Sequence, residues 1–507
     1  MINQRKAGAI LSYISMAVGI VVGIISINII LGFVTKGDYG VYSVMGSLIA
    51  VMGVMDFGLA GTITRYYTRD LTLHDAEKQE NTLAIGALIY GAIGLLAVIV
   101  GIVLYPLIDI FYSEKFTALE LVLAKKLFII MMINFVLSIS TSVFNSAILA
   151  HEKFVFSRVL EITKSITSLI LVYVALYYTR SIMAVVIVHT AVNIMAITAR
   201  IIFSTTKLKV RIKLHFFDKK LLHALTAFAF FIFLNLIMDR VYWKTDTLIL
   251  AAVAGAEAAA VYGIASTING YYLNFSSNIA SVFLPKITAI SAKTDDMEEI
   301  NSIFLRIGRI QYIIIMLILS GFIIFGQEFI RIWTGGEGYI EAYAFSLIVM
   351  IPLIIPLIQN TGISILQAKN KHAFRSVVYI IIAALNFAAS IPLAKLYGGY
   401  GAAAATAASL ILGQGIIINI YYQKKIGLHI GHFFKVILSM SPPIFAVGIA
   451  AYLLNRLWLV SEWYFVLLKI IVYCVLYFIV ADRFIFNAYE KENFGGFLKK
   501  ILRRVKK

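Results

Sequence analysis

Fourteen apolar runs of about twenty residues each follow one another along this 507-residue chain, and they leave few folds open to it. They lie at roughly 7–33, 40–63, 82–104, 127–150, 159–178, 181–203, 222–250, 258–284, 308–330, 342–367, 376–394, 399–422, 436–455 and 463–482. About twenty apolar residues in a helix cross the hydrocarbon of a bilayer. Composition agrees, since 61% of residues are hydrophobic and 14% charged, where a soluble chain carries roughly a quarter charged residues. So few charges cannot cover a water-soluble body of this size, which excludes a cytosolic enzyme, a nucleic-acid-binding protein and a disordered chain. An outer-membrane barrel is excluded as well, because its strands alternate over about ten residues. The fold class is therefore an all-α polytopic membrane protein with about 14 transmembrane helices. The first run is too long for a cleavable signal and leads straight into another span, so it is expected to stay in the mature protein. Cys474 is the one cysteine and sits in an apolar run, so neither an intrachain disulfide nor a cysteine-based metal site is expected.

Charge placement orients the spans. With Arg5 and Lys6 in the cytoplasm, 31 of the 44 Lys and Arg fall on cytoplasmic segments and 8 on the opposite side. The other five, Lys164, Arg200, Arg240, Lys244 and Lys469, fall within or at the ends of spans. This positive-inside bias puts both termini in the cytoplasm. The densest basic segments, Lys207 to Lys213 with Lys219 and Lys220, and the tail Lys499 to Lys507, serve topology and attract anionic lipids. The opposite loops are short, the longest about 105–126, so function falls to the membrane interior.

The chain also repeats itself. A shift of 220 lays Tyr42 on Tyr262, Ala60 on Ala280, Asp75 on Asp295, Asn81 on Asn301, Gly101 on Gly321 and Ile110 on Ile330. A shift of 217 or 218 pairs Leu149 with Leu366, Lys153 with Lys371, Phe156 with Phe374 and Arg158 with Arg375. Spans 1–6 and 7–12 read as two copies of a six-helix unit. Six is even, so the copies are parallel repeats, as in transporters that rock two bundles about a central site. The expected organisation is an N-terminal lobe at 1–203, a basic cytoplasmic linker at 204–221, a second lobe at 222–422, spans 13 and 14 within 423–482, and a basic cytoplasmic tail at 483–507.

An ionised side chain at the bilayer centre costs on the order of 2.5–3.5 kcal/mol, so intramembrane charges face a cavity or a partner. Span 7 is richest, with Asn235, Asp239, Arg240, Trp243, Lys244 and Asp246. Arg240 and Lys244 share a helix face, as do Asn235 and Asp239. Arg240 stands about 27 Å along a helix starting near Leu222, so these charges either line a cavity or snorkel at the outer end. Span 2 carries Asp56 and ends in Arg65 and Arg69. Glu161 and Lys164 in span 5 are three apart, which suits a mutual ion pair or a ligand site equally. His189 and Asn193 in span 6 are four apart, consistent with packing. In span 8, Asn274 and Asn278 share a face and form either a wet wall or interhelical bonds. In span 10, Pro352 and Pro356, followed by Gln359, Asn360 and Gln367, suit a helix that bends during gating.

No Walker sequence, Gly-rich phosphate loop, Cys/His cluster or Ser/His/Asp arrangement is present. No cofactor or metal is expected, and transport must be driven by a gradient.

Several segments resemble one family. Leu31-Gly-Phe-Val-Thr-Lys-Gly-Asp-Tyr-Gly-Val-Tyr42, Asp56-Phe-Gly58, Lys244-Thr-Asp-Thr-Leu-Ile-Leu250 with Val261-Tyr262, Phe283-Leu-Pro-Lys286, Ile332-Trp-Thr-Gly335 and Tyr400-Gly-Ala402 resemble the Wzx-type flippases of bacterial polysaccharide repeat units. That family belongs to the multidrug/oligosaccharidyl-lipid/polysaccharide (MOP) superfamily. The resemblance covers nearly the whole chain, through loose motifs. It implies two six-helix lobes around a central cationic cavity, in the bacterial cytoplasmic membrane, carrying an undecaprenyl-pyrophosphate-linked oligosaccharide outward. Spans 13 and 14 resemble the extra pair of lipid-linked-substrate flippases and imply a lateral groove for the isoprenoid tail.

Arg240 and Lys244 are the first candidates for the pyrophosphate, with Lys164 and Arg65 beside them. A guanidinium can hold phosphate oxygens bidentately, and Lys adds a point charge. Asn235, Asn274, Asn278 and Gln359 are candidates for the polar wall, and Asp56, Asp246 and Asp239 for coupling to a proton or sodium gradient. Expected partners are the undecaprenyl-linked glycan, a polysaccharide polymerase with its assembly proteins, and anionic lipids, with no nucleic acid. The chain reads as a transporter and not an enzyme. The alternatives are a lipid II flippase, a cation-coupled multidrug exporter and, from another class, a membrane-integral polysaccharide polymerase; the last would need a sizeable basic outer loop.

Overall fold

The computed structural model describes residues 4–217, 219, 222, 242–293, 296–369, 371, 373–457 and 462–491. Among them every regular element is helical. Among the described residues eleven stretches are long and apolar enough to cross a membrane, from Leu11–Phe33 to Trp463–Ile485. One of these, Ala373–Ile426, contains the two runs expected at 376–394 and 399–422, divided where Gly398 turns to φ 57°. The run expected at 222–250 lies mostly outside the described residues, and the one at 258–284 lies inside α10 (Ala256–Lys293).

Local chemistry sets the helix ends. Asp75 caps α4 (Ala76–Tyr112) by accepting the Lys78 N–H, and Thr117 and Glu120 form a reciprocal capping box at α5 (Ala118–Ser140). Asp296 caps α11 (Met297–Thr334), which Gly335 ends in the left-handed conformation at φ 77°.

Several spans are broken in ways their apolar sequence does not announce. Span 2 runs as α2 (Lys36–Met52), a 3-10 turn at Gly53–Asp56 and α3 (Leu59–Thr72), with Phe57 and Gly58 both left-handed. Phe57 at φ 52° costs about 1–3 kcal/mol, which the surrounding packing must offset. Span 4 breaks at Thr141 between α5 and α6 (Ser142–Ala150). Span 10 breaks at Gln359 and Asn360 between α12 (Glu341–Ile358) and α13 (Thr361–Ala368), just past Pro352 and Pro356.

The chain forms two compact units, residues 1–263 with 394–398, and residues 264–393 with 399–507. In the first, α1 (Gln4–Phe33) packs on α7 (Phe154–Thr179), and α5 packs on α2, α4 and α8 (Ile182–Ile202). Gly40 of α2 lets two backbones meet, since a side chain there would strike the carbonyl oxygen of Ala256. Small residues at such crossings are how helices approach closely in lipid. In the second unit, α11 packs against α12, α17 (Ser441–Leu457) and α18 (Trp463–Val480).

Details recur between the units at the spacing of the repeat. The fourth and tenth spans break at matching positions, Thr141 and, 218 residues on, Gln359. Phe156 stacks on Phe203 with ring centroids 3.8 Å apart, and 218 residues on Phe374 stacks on Tyr421 at 4.2 Å. Single π-helical turns end both sixth helices, Phe203–Lys207 and Tyr422–Ile426. Asn81 Oδ1 accepts the His215 and Phe216 N–H groups at 3.1 and 3.2 Å, while its counterpart Asn301 Oδ1 accepts the His429 N–H at 2.8 Å. Each copy thus ties the segment leaving its sixth helix to the foot of its third.

Candidate functional site

The first unit holds a ladder of polar groups between α5, α7 and α8. On α7, Arg158, Glu161, Lys164 and Ser168 follow at intervals of three or four, and on α8 His189, Asn193 and Arg200 follow at intervals of four and seven, so each set occupies one helix face. Arg158 Nη1 donates to Glu161 Oε2 at 2.7 Å. Lys164 Nζ donates to Asn193 Oδ1 at 2.6 Å. Asn193 in turn donates to Asn134 Oδ1 and Ser138 Oγ of α5, both at 2.7 Å, beside the break in span 4. Higher up, Ser168 Oγ and His189 Nδ1 share a hydrogen bond of 2.8 Å. Arg200 is half-buried; among the described residues it has no hydrogen-bond partner and lies in the field of Glu161 and Lys164.

The charge balance follows. Three cations, Arg158, Lys164 and Arg200, share one carboxylate, leaving a surplus of two positive charges. Glu161 pairs with Arg158 and not with Lys164 as the spacing allowed, because Arg158 lies one turn the other way along the same face. Lys164 is ten residues into α7, about 15 Å along the helix. A half-buried ammonium at that depth, held by a neutral amide, is available to an anion. His189 is a bonded packing residue, as expected from its spacing.

The other expected residues lie on other elements. Asp56 ends the 3-10 turn of span 2 and accepts the Tyr90 hydroxyl at 3.1 Å. Asp246 is 4% exposed and accepts the Tyr262 hydroxyl at 2.7 Å. Lys244 is half-buried and Arg65 exposed, and both are engaged by other groups. Asn274 is exposed on α10, and Asn278 lies further along the same helix. Gln359 is buried at the break in span 10 and donates to Asn419 Oδ1 at 2.7 Å, so its amide joins two helices. Arg240, Asn235 and Asp239 lie outside the described residues.

Several polar groups went unnoticed in the sequence. Asn134 and Ser138 complete the Lys164 network, and their i, i+4 spacing was the available signal. In the second unit, Asn386 donates to Thr406 Oγ1 at 3.2 Å with both residues buried. A cavity of about 420 Å³ opens between α11, α17 and α18, lined by Phe325, Leu454, Phe465, Val472 and Leu476, with Lys469 at its wall. Lys469 Nζ is 3.3 Å from Glu328 Oε2, and Asn455 donates to the same carboxylate at 3.2 Å.

The comparisons with known proteins bear on this arrangement. A family model described as "Polysaccharide biosynthesis protein" matches residues 7–291. Among curated proteins, none matches the chain by sequence. The structure is similar to that of a lipid II flippase MurJ in an inward closed conformation, with a TM-score of 0.71 at 15% identity over 94% of this chain and 98% of that one. It is similar to an inward-facing multidrug resistance MATE family transporter, with a TM-score of 0.67 at 12% identity over 81% and 94%. A MOP superfamily transporter from Pyrococcus furiosus gives 0.58 at 14% identity over 83% and 97%. At such identities the likeness is one of fold, and the fold is that of MOP-superfamily transporters.

Proposed function

The chain belongs to the polysaccharide biosynthesis protein family, and on that premise we propose that it is a secondary-active flippase. Its substrate is an undecaprenyl-pyrophosphate-linked oligosaccharide, moved from the cytoplasmic to the outer leaflet of the bacterial cytoplasmic membrane by alternating access. Both termini face the cytoplasm. Residues 1–203 and 222–422 act as two lobes, a reading supported by the paired helix breaks, aromatic stacks and asparagine ties described above.

One observation carries the proposal, the surplus of positive charge on α7 and α8 inside the membrane. A pyrophosphate is the part of such a substrate that pays most to leave water, and it is anionic. Arg200 presents a planar fork of donors to its oxygens, while Lys164, bonded to Asn193 seven residues along α8 from Arg200, supplies a charge about two turns deeper. Asn193, Asn134 and Ser138 keep the ammonium in place and offer hydrogen bonds to sugar hydroxyls. Arg240 and Lys244 of span 7, with Arg65, extend the cationic path, and Asn235, Asn274 and Asn278 its polar wall. The groove between α11, α17 and α18 suits an isoprenoid chain, its walls being apolar apart from the neutralised Lys469 and Glu328. A proton or sodium gradient drives the cycle, with Asp56, Asp246 and Asp239 as the carboxylates poised to sense it.

Depletion of the protein in its native bacterium, followed by mass spectrometry of undecaprenyl-linked lipids, tests this reading. An oligosaccharide-bearing intermediate should accumulate as surface polymer is lost. Unchanged lipid-linked pools, with heightened sensitivity to cationic dyes, would replace the flippase by a multidrug exporter. Accumulated lipid II would move the assignment to peptidoglycan synthesis.

A further inference from the structure

At one end of the second unit, Lys371, Arg375, Lys424 and Lys425 gather around two neighbouring helix ends. Arg375 is the third residue of α14 (Ala373–Leu410), so its side chain leans back toward the loop before the helix. Its guanidinium carbon lies 5.0 Å from the centre of the Tyr379 ring, and its Nε is buried without a partner. It also lies in the field of the buried Tyr422 hydroxyl at the end of span 12. Lys371 Nζ donates to the Lys425 carbonyl at 3.5 Å, the Tyr421 hydroxyl donates to the Lys371 carbonyl at 3.4 Å, and Tyr421 stacks on Phe374. The start of α14 and the end of span 12 are thereby held together. Among the described residues none of the four cations pairs with a carboxylate. The repeat makes that informative. In the first unit the counterpart Arg158 is neutralised by Glu161 at 2.7 Å, whereas a shift of 218 from Glu161 arrives at Tyr379.

Two apolar stripes lead away from these cations. On α14, Val377, Ile381 and Leu385 are exposed and four residues apart. On span 12, Leu412, Ile416 and Ile420 are likewise exposed and four apart, and the next step along that face is the exposed Lys424. The apolar stretch Ala373–Ile426 begins beside Arg375 and ends beside Lys425, so the cations stand where a span leaves the hydrocarbon, at headgroup level.

We propose that this end of the second unit binds the phosphate of an anionic glycerophospholipid, with the acyl chains lying along the two stripes. The Arg375 guanidinium can hold two phosphate oxygens, and the lysines add point charges. Basic pockets between helices at the membrane surface are suited to such headgroups. A zwitterionic lipid is disfavoured because its ammonium would meet the same four cations. Inorganic phosphate lacks the chains that the exposed stripes would cover, and in water it would gain little from exposed lysines. Occupancy would satisfy Arg375 and brace α14 against the end of span 12. The site depends on the chain crossing a membrane, and not on what the chain carries.

The test is native mass spectrometry of the purified full-length protein in detergent, titrated with phosphatidylglycerol, with phosphatidylcholine of the same acyl chains as the control. The wild type should retain phosphatidylglycerol preferentially. Arg375→Gln should weaken the apparent affinity by about tenfold or more. Lys424→Gln with Lys425→Gln, both exposed so that the fold is kept, should weaken it in the same direction, and Lys126→Gln, which removes an exposed charge from α5, should leave it unchanged. Equal retention of the two lipids, an affinity unaltered in the lysine double variant, or displacement of the lipid by inorganic phosphate at equal concentration would each overturn the proposal, the last by revealing a free-anion site. Undecaprenyl pyrophosphate held more tightly than phosphatidylglycerol, and lost in the same variants, would overturn it by placing the four cations on the substrate's path. If Arg375→Gln fails to fold, the lysine double variant decides alone.

Discussion

Replacing Lys164 by Gln removes a charge from the ladder while keeping a hydrogen-bond donor for Asn193 Oδ1, so the packing of α5, α7 and α8 is preserved. The surplus of two positive charges falls to one, because Glu161 remains committed to Arg158 at 2.7 Å. A hydrogen bond to a charged partner contributes about 1.5–3 kcal/mol net, and each 1.4 kcal/mol is tenfold in binding. The KM for a pyrophosphate-linked oligosaccharide should therefore rise by about 10- to 100-fold. Arg200→Gln should do the same, and the double variant should lose less than the product, since both cations share the field of Glu161. The assay is the initial rate of lipid-linked oligosaccharide translocation into proteoliposomes across a range of substrate concentration. Lys36→Gln, at a weak 3.7 Å pair with Glu257, is the control and should leave the rate unchanged. A Lys164→Gln protein that inserts normally and transports with wild-type KM would refute the role of the ladder.

Three further outcomes follow from the same geometry. Arg309 holds Glu490 bidentately at 2.7 and 2.8 Å with Glu490 fully buried, so Arg309→Leu should cost about 3–5 kcal/mol by stranding the carboxylate, and Arg309→Leu with Glu490→Leu should recover most of it in a thermal double-mutant cycle. Asn81→Ala deprives two backbone N–H groups of their acceptor, a loss of about 1–3 kcal/mol that should speed tryptic cleavage within Lys207–Lys213 by about 5- to 100-fold; an unchanged cleavage rate would contradict the tie. The Asp75 carboxyl lies below the ordinary carboxylate range, because the Lys78 ammonium at 2.8 Å and the Lys78 N–H both bond it. Its capping of α4 is thus complete above the ordinary carboxylate pKa and lost as pH falls through the lowered value, so the protection of first-turn amides of α4, taken relative to their intrinsic exchange rate at each pH, should fall on acidification in the wild type and be less pH-dependent in Asp75→Asn.

The spans were legible because bilayer thickness fixes helix length, and the apolar runs carry that length directly. The breaks were less so. Pro352 and Pro356 announced trouble in span 10, but Thr141 interrupts span 4 without a proline or glycine at the break, beside the bond from Asn193 to Ser138 that is invisible along the chain. Lys164 stood out in the sequence as a charge within an apolar run, yet its partner did not, because Glu161 had a second cation at helical spacing and Asn193 sat on another helix. The pairing of Asn81 with Asn301, one weak identity among several, fell on residues that do the same work in each unit. Asp246 could be seen as a membrane carboxylate, whereas its bond to Tyr262 depends on tertiary packing.

The central claim is that this chain carries an anionic, lipid-linked sugar across a bilayer. It is tested most directly by reconstituting the purified protein into vesicles with an undecaprenyl-pyrophosphate-linked oligosaccharide confined to one leaflet, and following its appearance in the other with a membrane-impermeant glycosidase. Protein-dependent transfer, lost in the Lys164→Gln and Arg200→Gln double variant, is the predicted result. Vesicles that leave the oligosaccharide in its original leaflet yet exchange organic cations for protons or sodium would contradict the account.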